Sequence, residues 1–175
     1  MVEMSVESVR INLATSQRVV ILKDPQTERY LFIWIANPEA YSIAMELQGA
    51  TPQRPLTHDL LKSVIVELGG QLTSVIITDL QDDIYYARLI FDIDGRHVEI
   101  DSRSSDAIAI AVRLKAPIYV AESVLENASV TLQNGDERDD TIVREKQTAA
   151  RDYNLEVYRD FINGLDALDE FGKQD

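Results

Sequence analysis

Arg29–Leu47 (RYLFIWIANPEAYSIAMEL) lies over Arg96–Leu114 (RHVEIDSRSSDAIAIAVRL) without a gap, and six of the nineteen positions are identical. They are Arg29/Arg96, Ile33/Ile100, Ala40/Ala107, Ile43/Ile110, Ala44/Ala111 and Leu47/Leu114. Ordinary composition gives about one identity by chance. Each copy reads as a strand followed by a helix, because the shared Ala, Ile, Ala and Leu recur at i, i+3, i+4, i+7. Alanine at two of those positions lets a helix sit close to a sheet. Asn37 with Pro38 fits a helix start in the first copy, and Ser104 with Ser105 takes that place in the second.

Working outward, three β-rich runs precede each repeat helix: Val6–Leu13, Arg18–Lys23 and Arg29–Ile35, then Leu72–Asp79, Ile84–Phe91 and Arg96–Ile100. Asp94-Gly95 is a strong hairpin signal and Asp24-Pro25 a weaker turn signal. A further helix follows each copy, Thr57–Leu68 with Leu60, Leu61, Val64, Ile65 and Leu68 on one face, and a shorter Ala121–Ala128. The expected architecture is α+β: tandem β-β-β-α-α repeats, a mainly antiparallel sheet with helices packed on one side, and a pseudo-twofold axis. The duplicated domain is expected over 1–133, with repeats of roughly 1–69 and 70–133. A polar linker, Asn134–Asp140 (NGDERDD), then leads into a helical tail over 134–175. There Leu155, Tyr158, Phe161, Ile162, Leu165, Leu168 and Phe171 keep helical spacing.

The chain holds 175 residues, 45% of them hydrophobic, which is ample for a core. It contains no cysteine, which excludes disulfides, thiolate metal sites and thiol nucleophiles, and two histidines argue against an imidazole-rich zinc site. No secretory signal or apolar span is evident, so a cytoplasmic protein without membrane contact is expected. The net charge of −13 weighs against tight, non-specific polyanion binding, which depends on Lys and Arg. A nucleic acid would be a weakly bound substrate.

Two segments carry the candidate chemistry: Arg54–Leu61 (RPLTHDLL) and Asp101–Arg113 (DSRSSDAIAIAVR). Each brings an arginine, a Ser or Thr and an acid to the start of an amphipathic run. Asp59 and Asp106 could be there for capping and dipole compensation alone, with Thr57 as the cap before Asp59. That leaves Arg54, Arg103 and His58 unexplained, since positive charge is mildly unfavourable at a helix N-terminus unless it meets an anion. His58 borders the buried face and could equally be structural. His97 alternates with Glu99 and Asp101 on what reads as a solvated strand face. Glu39, Asp59 and Asp106 each fall in a first helical turn. If the pseudo-twofold joins those turns, they could bind Mg²⁺ or Mn²⁺ through oxygen. Such a metal could serve phosphodiester hydrolysis, with His58 as proton acceptor and Arg54 or Arg103 clamping phosphate. No P-loop, GxGxxG, HExxH or nucleophile elbow is present.

With these motifs the chain resembles the bifunctional nuclease family over roughly Val2–Val130. The resemblance rests on RPLTHDLL, the DSR–SDAIAIAVR segment and the IWI-x3-EA pattern around Glu39. It implies a small α+β domain acting on DNA and RNA with a divalent metal. Its matched polar residues are Glu39, Arg54, His58, Asp59, Asp101, Arg103 and Asp106. Of these, His58, Asp59, Asp101 and Asp106 are the catalytic candidates, and Arg54 and Arg103 the substrate-binding ones. The family's usual Arg-Pro-Ser-Asp is Arg103-Ser104-Ser105-Asp106 here, which removes a fixed φ and predicts a looser turn. A second class of function stays open: a non-catalytic regulatory module presenting an acidic face and its tail to a protein partner. A homodimer is the expected assembly.

Overall fold

A computed structural model describes residues 1–12 and 16–131. The expected tail helix and the end of the first strand run, Leu13, lie outside the described residues. The chain order is β1 (Val2–Ile11), β2 (Arg18–Lys23), β3 (Arg29–Ile35), α1 (Asn37–Leu47), α2 (Thr57–Glu67), β4 (Gly70–Gln81), β5 (Ile84–Ile93), β6 (Arg96–Arg103), α3 (Ser104–Leu114), β7 (Ile118–Val120), α4 (Glu122–Ala128) and β8 (Val130–Thr131). The eight strands form one sheet in the order β6-β5-β4-β7-β1-β2-β3-β8. The meanders β1–β3 and β4–β6 therefore run outward in opposite directions from the short central β7. This arrangement follows from the sequence duplication, since both copies are strand-then-helix units.

The fold class is α+β with a mixed, mainly antiparallel sheet. Two features correct the expected repeat. Short strand β7 separates the second copy's helices and β8 follows them, and β7 pairs parallel with β4 through Val75↔Ile118, Ile76↔Tyr119 and Ile77↔Val120. Three-residue and two-residue strands are too short to show a period, so the pattern α-α concealed them. The β5–β6 hairpin closes through Asp94 and Gly95, both at positive φ, as the dipeptide predicts. The β4–β5 hairpin does the same through Asp82 and Asp83 (φ 48° and 62°), a turn that two aspartates permit but do not advertise.

Helix α3 is the centre of the core. Ala107, Ile108, Ala109, Ile110 and Ala111 are all fully buried, so this helix is enclosed on every side rather than on one face. Burying each isoleucine contributes roughly 1.5–3 kcal/mol. Ile43 of α1, Val124 and Leu125 of α4, Val75 and Ile77 of β4 and Leu31 and Ile33 of β3 close around it. Helix α2 is the opposite case. Of its apolar stripe only Ile65 packs against the core, while Leu60, Leu61, Val64 and Leu68 are exposed. Among the described residues no helix is long and apolar enough to cross a membrane.

Candidate functional site

Three helix starts supply the site. Their caps differ from expectation by one residue. Ala36 rather than Asn37 caps α1, Leu56 rather than Thr57 caps α2, and Arg103 in extended conformation precedes α3. Asn37 is drawn off because its Oδ1 accepts from Arg18 Nη1. Without the family's proline, α3 still begins directly at Ser104, with Ser104 and Ser105 both buried.

Arg103 is the hub. Its Nε donates to Asp106 Oδ2 at 2.6 Å, and its Nη2 donates to Asp106 Oδ1 at 3.0 Å and to Glu39 Oε1 at 2.6 Å. The pairing with Asp106 is bidentate, the strong geometry for guanidinium and carboxylate. Glu39 and Asp106 are the two acids that the duplication makes equivalent, and they meet on one arginine. Arg103 itself is 66% exposed while Glu39 is 11% exposed at its side chain. Its Nη1 has no partner among the described residues. The result is a cation presented outward on a bed of carboxylates, and the two acids hold its pKa far above the ordinary arginine value.

His58 sits behind this pair and is buried. Its Nε2 lies 3.1 Å from Asp106 Oδ1 and its Nδ1 lies 2.9 Å from Ser42 Oγ. An ionised carboxylate can only accept, so the hydrogen is on Nε2, and in the neutral ring Nδ1 accepts from the Ser42 hydroxyl. Both ring nitrogens are thus engaged. His58 has no free position for a proton taken from water, and the proton-acceptor role expected for it does not fit. It orients Asp106 instead. Burial alone would raise the Asp106 pKa. The hydrogen bonds from Arg103 and His58 outweigh this and hold it below the usual carboxylate range.

Asp59 belongs to a second, deeper cluster. Its Oδ1 accepts from Arg113 Nε at 2.7 Å and its Oδ2 from the Leu56 backbone N–H at 2.8 Å. Arg113 is buried and also donates to the carbonyls of Ala109 (2.9 Å) and Ser42 (3.0 Å). It therefore locks α1, α2 and α3 together. Burial raises the Asp59 pKa, but Arg113 and the Leu56 N–H win and lower it.

The three carboxylates expected to share a metal are consequently divided: Glu39 and Asp106 are turned onto Arg103, and Asp59 onto Arg113. Among the described residues no group of three or more His, Asp or Glu side chains is arranged to hold a metal ion. The residues present do not fit a three-carboxylate centre. Arg54 lies in the exposed loop before α2 and Asp101 on the exposed face of β6. Neither side chain makes a hydrogen bond or ion pair among the described residues, and neither joins the cluster. His97 is exposed, as expected.

Sequence reasoning missed Ser42 and Arg113. Ser42 carried a faint signal, since it follows Glu39 by three residues and so shares its helical face. Arg113 carried a stronger one: an arginine closing a segment apolar all round must find buried acceptors. One polar atom stays unmatched, Glu39 Oε2, which is buried with no hydrogen-bond partner among the described residues. Native interiors rarely leave such an oxygen alone, so Glu39 carries an open acceptor beside the oxygen that meets Arg103.

The scaffold is an α+β domain that gathers two acids from different helix starts on one exposed arginine, braced by a buried histidine. Residues 20–133 match the bifunctional nuclease domain, and the chain belongs to that family. It is 41% identical over 163 residues to an uncharacterized protein of Mycobacterium tuberculosis (strain ATCC 25618 / H37Rv), a match covering 93% of this chain and 94% of that one. Bifunctional nuclease 2 of Arabidopsis thaliana is 27% identical over 161 residues, 90% of this chain and 47% of that protein. Bifunctional nuclease 1 of Oryza sativa subsp. japonica is 27% identical over 123 residues, covering 68% and 37%. The chain thus matches less than half the length of these plant relatives.

Proposed function

We propose that this chain is a low-specificity nuclease that hydrolyses phosphodiester bonds in DNA and RNA at the Arg103 cluster. The observation that carries the reading is an exposed guanidinium bonded to one oxygen of Glu39 while the other oxygen of that carboxylate, Oε2, is buried without a partner among the described residues. A phosphate competes with Glu39 and Asp106 for Arg103 and is met by its free Nη1. Drawing the guanidinium outward frees Glu39 Oε1, and the carboxylate then receives a proton from water. The water oxygen bonds to phosphorus, the bond from phosphorus to the leaving oxygen breaks, and that oxygen is protonated from solvent. Arg103 stabilises the charge gathered on phosphate. Asp106, fixed by His58 and Ser42, returns the guanidinium to one position. The net charge of −13 accords with a substrate held weakly and locally.

The test is digestion of single- and double-stranded DNA and RNA by purified protein with Mg²⁺, Mn²⁺ or EDTA, beside Glu39→Gln and Arg103→Ala. Loss of about 10²–10⁴-fold in the first and 10²–10³-fold in the second is expected. The reading assigns no ion to the three carboxylates, and the metal arms measure whether one is needed on the substrate. Activity equal in wild type and both variants would refute it.

A second reading is favoured by one specific observation, the uncovered apolar stripe of α2. Leu60 is 60% and Leu68 76% exposed, and contiguous exposed apolar surface marks interaction sites. A regulatory module that binds a protein partner, or a homodimer, would cover that stripe. Cleavage-dead protein that still binds a partner through α2 would support it.

A further inference from the structure

The outer face of the β5–β6 hairpin carries an aromatic ring beside the Arg103 cluster. Along β5 Ala87, Leu89 and Phe91 are buried against the core, so Tyr86 and Arg88 alternate to the opposite face. Tyr86 is directly paired with Arg103 across the ladder, with no register shift in that pair of strands. Directly opposed residues project from the same face with Cβ atoms about 4.5–5.5 Å apart. Yet the Arg103 guanidinium is pulled away to Asp106 and Glu39, leaving the ring uncovered. Tyr86 is 40% exposed, and its hydroxyl makes no hydrogen bond among the described residues. Ile84, two residues earlier on the same face, is 58% exposed and extends the apolar surface.

From this juxtaposition we infer that Tyr86 is a substrate-binding residue, a stacking platform for the base of the nucleotide whose phosphate meets Arg103. The inference rests on the nuclease reading and adds to it what recognises the substrate beyond its phosphate. The step from one strand to the next is about 4.8 Å, comparable with the reach from a nucleotide's phosphate to its own sugar and base. Polarity across the row fixes which way the nucleotide lies. On the other side of Tyr86 its partner in β4 is Asp79, so the row reads Asp79, Tyr86, Arg103. Asp79 is occupied by the Leu80 N–H and the Gln81 side-chain amide. Its negative charge turns phosphate away, and Arg103 draws it in. A ring face accepts any base, which suits an enzyme acting on DNA and RNA alike. It also supplies attraction that does not depend on the net charge of the chain.

The experiment compares full-length wild type, Tyr86→Ala and Tyr86→Phe. The substrates are a short oligothymidylate and an abasic deoxyribose-phosphate strand of equal length. Tyr86→Ala is expected to raise KM and Kd for the oligothymidylate about tenfold, with kcat unchanged and the abasic strand unaffected. Tyr86→Phe is expected to behave as wild type, because the ring and not the hydroxyl stacks. Circular dichroism checks that the exposed substitution leaves the fold intact. Wild-type cleavage with Tyr86→Ala unchanged on both strands would overturn the stacking role and leave the nuclease reading standing. Equal losses on both strands would also overturn it, since the effect would then be on the backbone or the fold. Absence of cleavage and binding by wild type would overturn both together.

Discussion

Arg113→Met removes the arginine that locks three helices while keeping an unbranched side chain of similar length. Three donors go with it: those to Asp59, to the Ala109 carbonyl and to the Ser42 carbonyl. Breaking a buried ion pair by deleting one partner costs about 3–5 kcal/mol, because the other charge is left uncompensated. Asp59 is 26% exposed at its side chain, so water reaches it and the cost falls at the lower end, about 3 kcal/mol. With an m-value of about 2 kcal/mol/M the urea midpoint should drop by about 1.5 M. The melting temperature should fall by roughly 10 °C.

The sign of the pH dependence follows from Asp59, whose carboxyl is held below its ordinary value of 3.8 in the folded chain. A depressed acid contributes stability that is fully present above the unfolded value and is lost as pH falls through the folded one. Wild type should therefore lose this increment in acid, below about pH 4, whereas Arg113→Met should have a flatter profile there. Arg113→Met with Asp59→Leu should recover more than half the loss, because no buried charge is left unpaired. Urea titrations at neutral and acid pH measure all three. A loss under about 1 kcal/mol in the single variant, or a double variant as unstable as the sum of the singles, would refute the reasoning.

Asp106→Asn should leave stability within about 1 kcal/mol, since Asn tolerates a first helical turn, while activity falls steeply through loss of the bidentate Arg103 contact; unchanged turnover would count against Asp106. Ser42→Ala should lower kcat with little change in KM, as His58 loses the donor to Nδ1 and holds Asp106 less firmly; an unchanged kcat would make Ser42 merely structural. Glu39→Gln should change the urea midpoint little, because it gives up an ion pair with an exposed arginine but also removes an unmatched buried charge. Leu68→Ala should cost under about 0.5 kcal/mol and Ile110→Ala about 2–5 kcal/mol; equal losses would mean that α2 is covered in solution.

The duplication and the strand-then-helix units were legible because identities at helical spacing survive in a single sequence. Arg18–Lys23 and Arg29–Ile35 were legible to the residue, since both are bounded by turn chemistry. What failed was three-dimensional. The apolar stripe of α2 has the same periodicity as a buried one, and only the packing reveals that α3 already fills the centre. The α1 cap moved by one residue because Arg18 claims Asn37 from across the β2–β3 ladder. At the site, residue types were readable and partners were not. Three acids at three helix starts could share a metal or be shared out among arginines. Nothing in the local pattern assigns Arg113 to Asp59, since that choice is made by a contact 54 residues apart.

The arrangement also explains why a duplicated chain has one such cluster among its described residues. Glu39 and Asp106 fall at aligned positions of the two sequence copies and meet on Arg103, and two such carboxylates alone would repel. The copies then diverge where the repulsion must be relieved. Arg103 stands where the first copy has Ala36, so a single arginine reaches both acids. His58, in the α2 that follows the first repeat helix, turns back to Asp106 of the second copy, and its own bracing hydroxyl comes from Ser42, whose equivalent in α3 is the buried Ala109. Each half supplies what the other has lost. The first contributes the open carboxylate, the serine and the histidine, and the second contributes the arginine and the acid that aims it. Neither half can form the cluster alone, which ties the proposed activity to the assembly of the whole sheet.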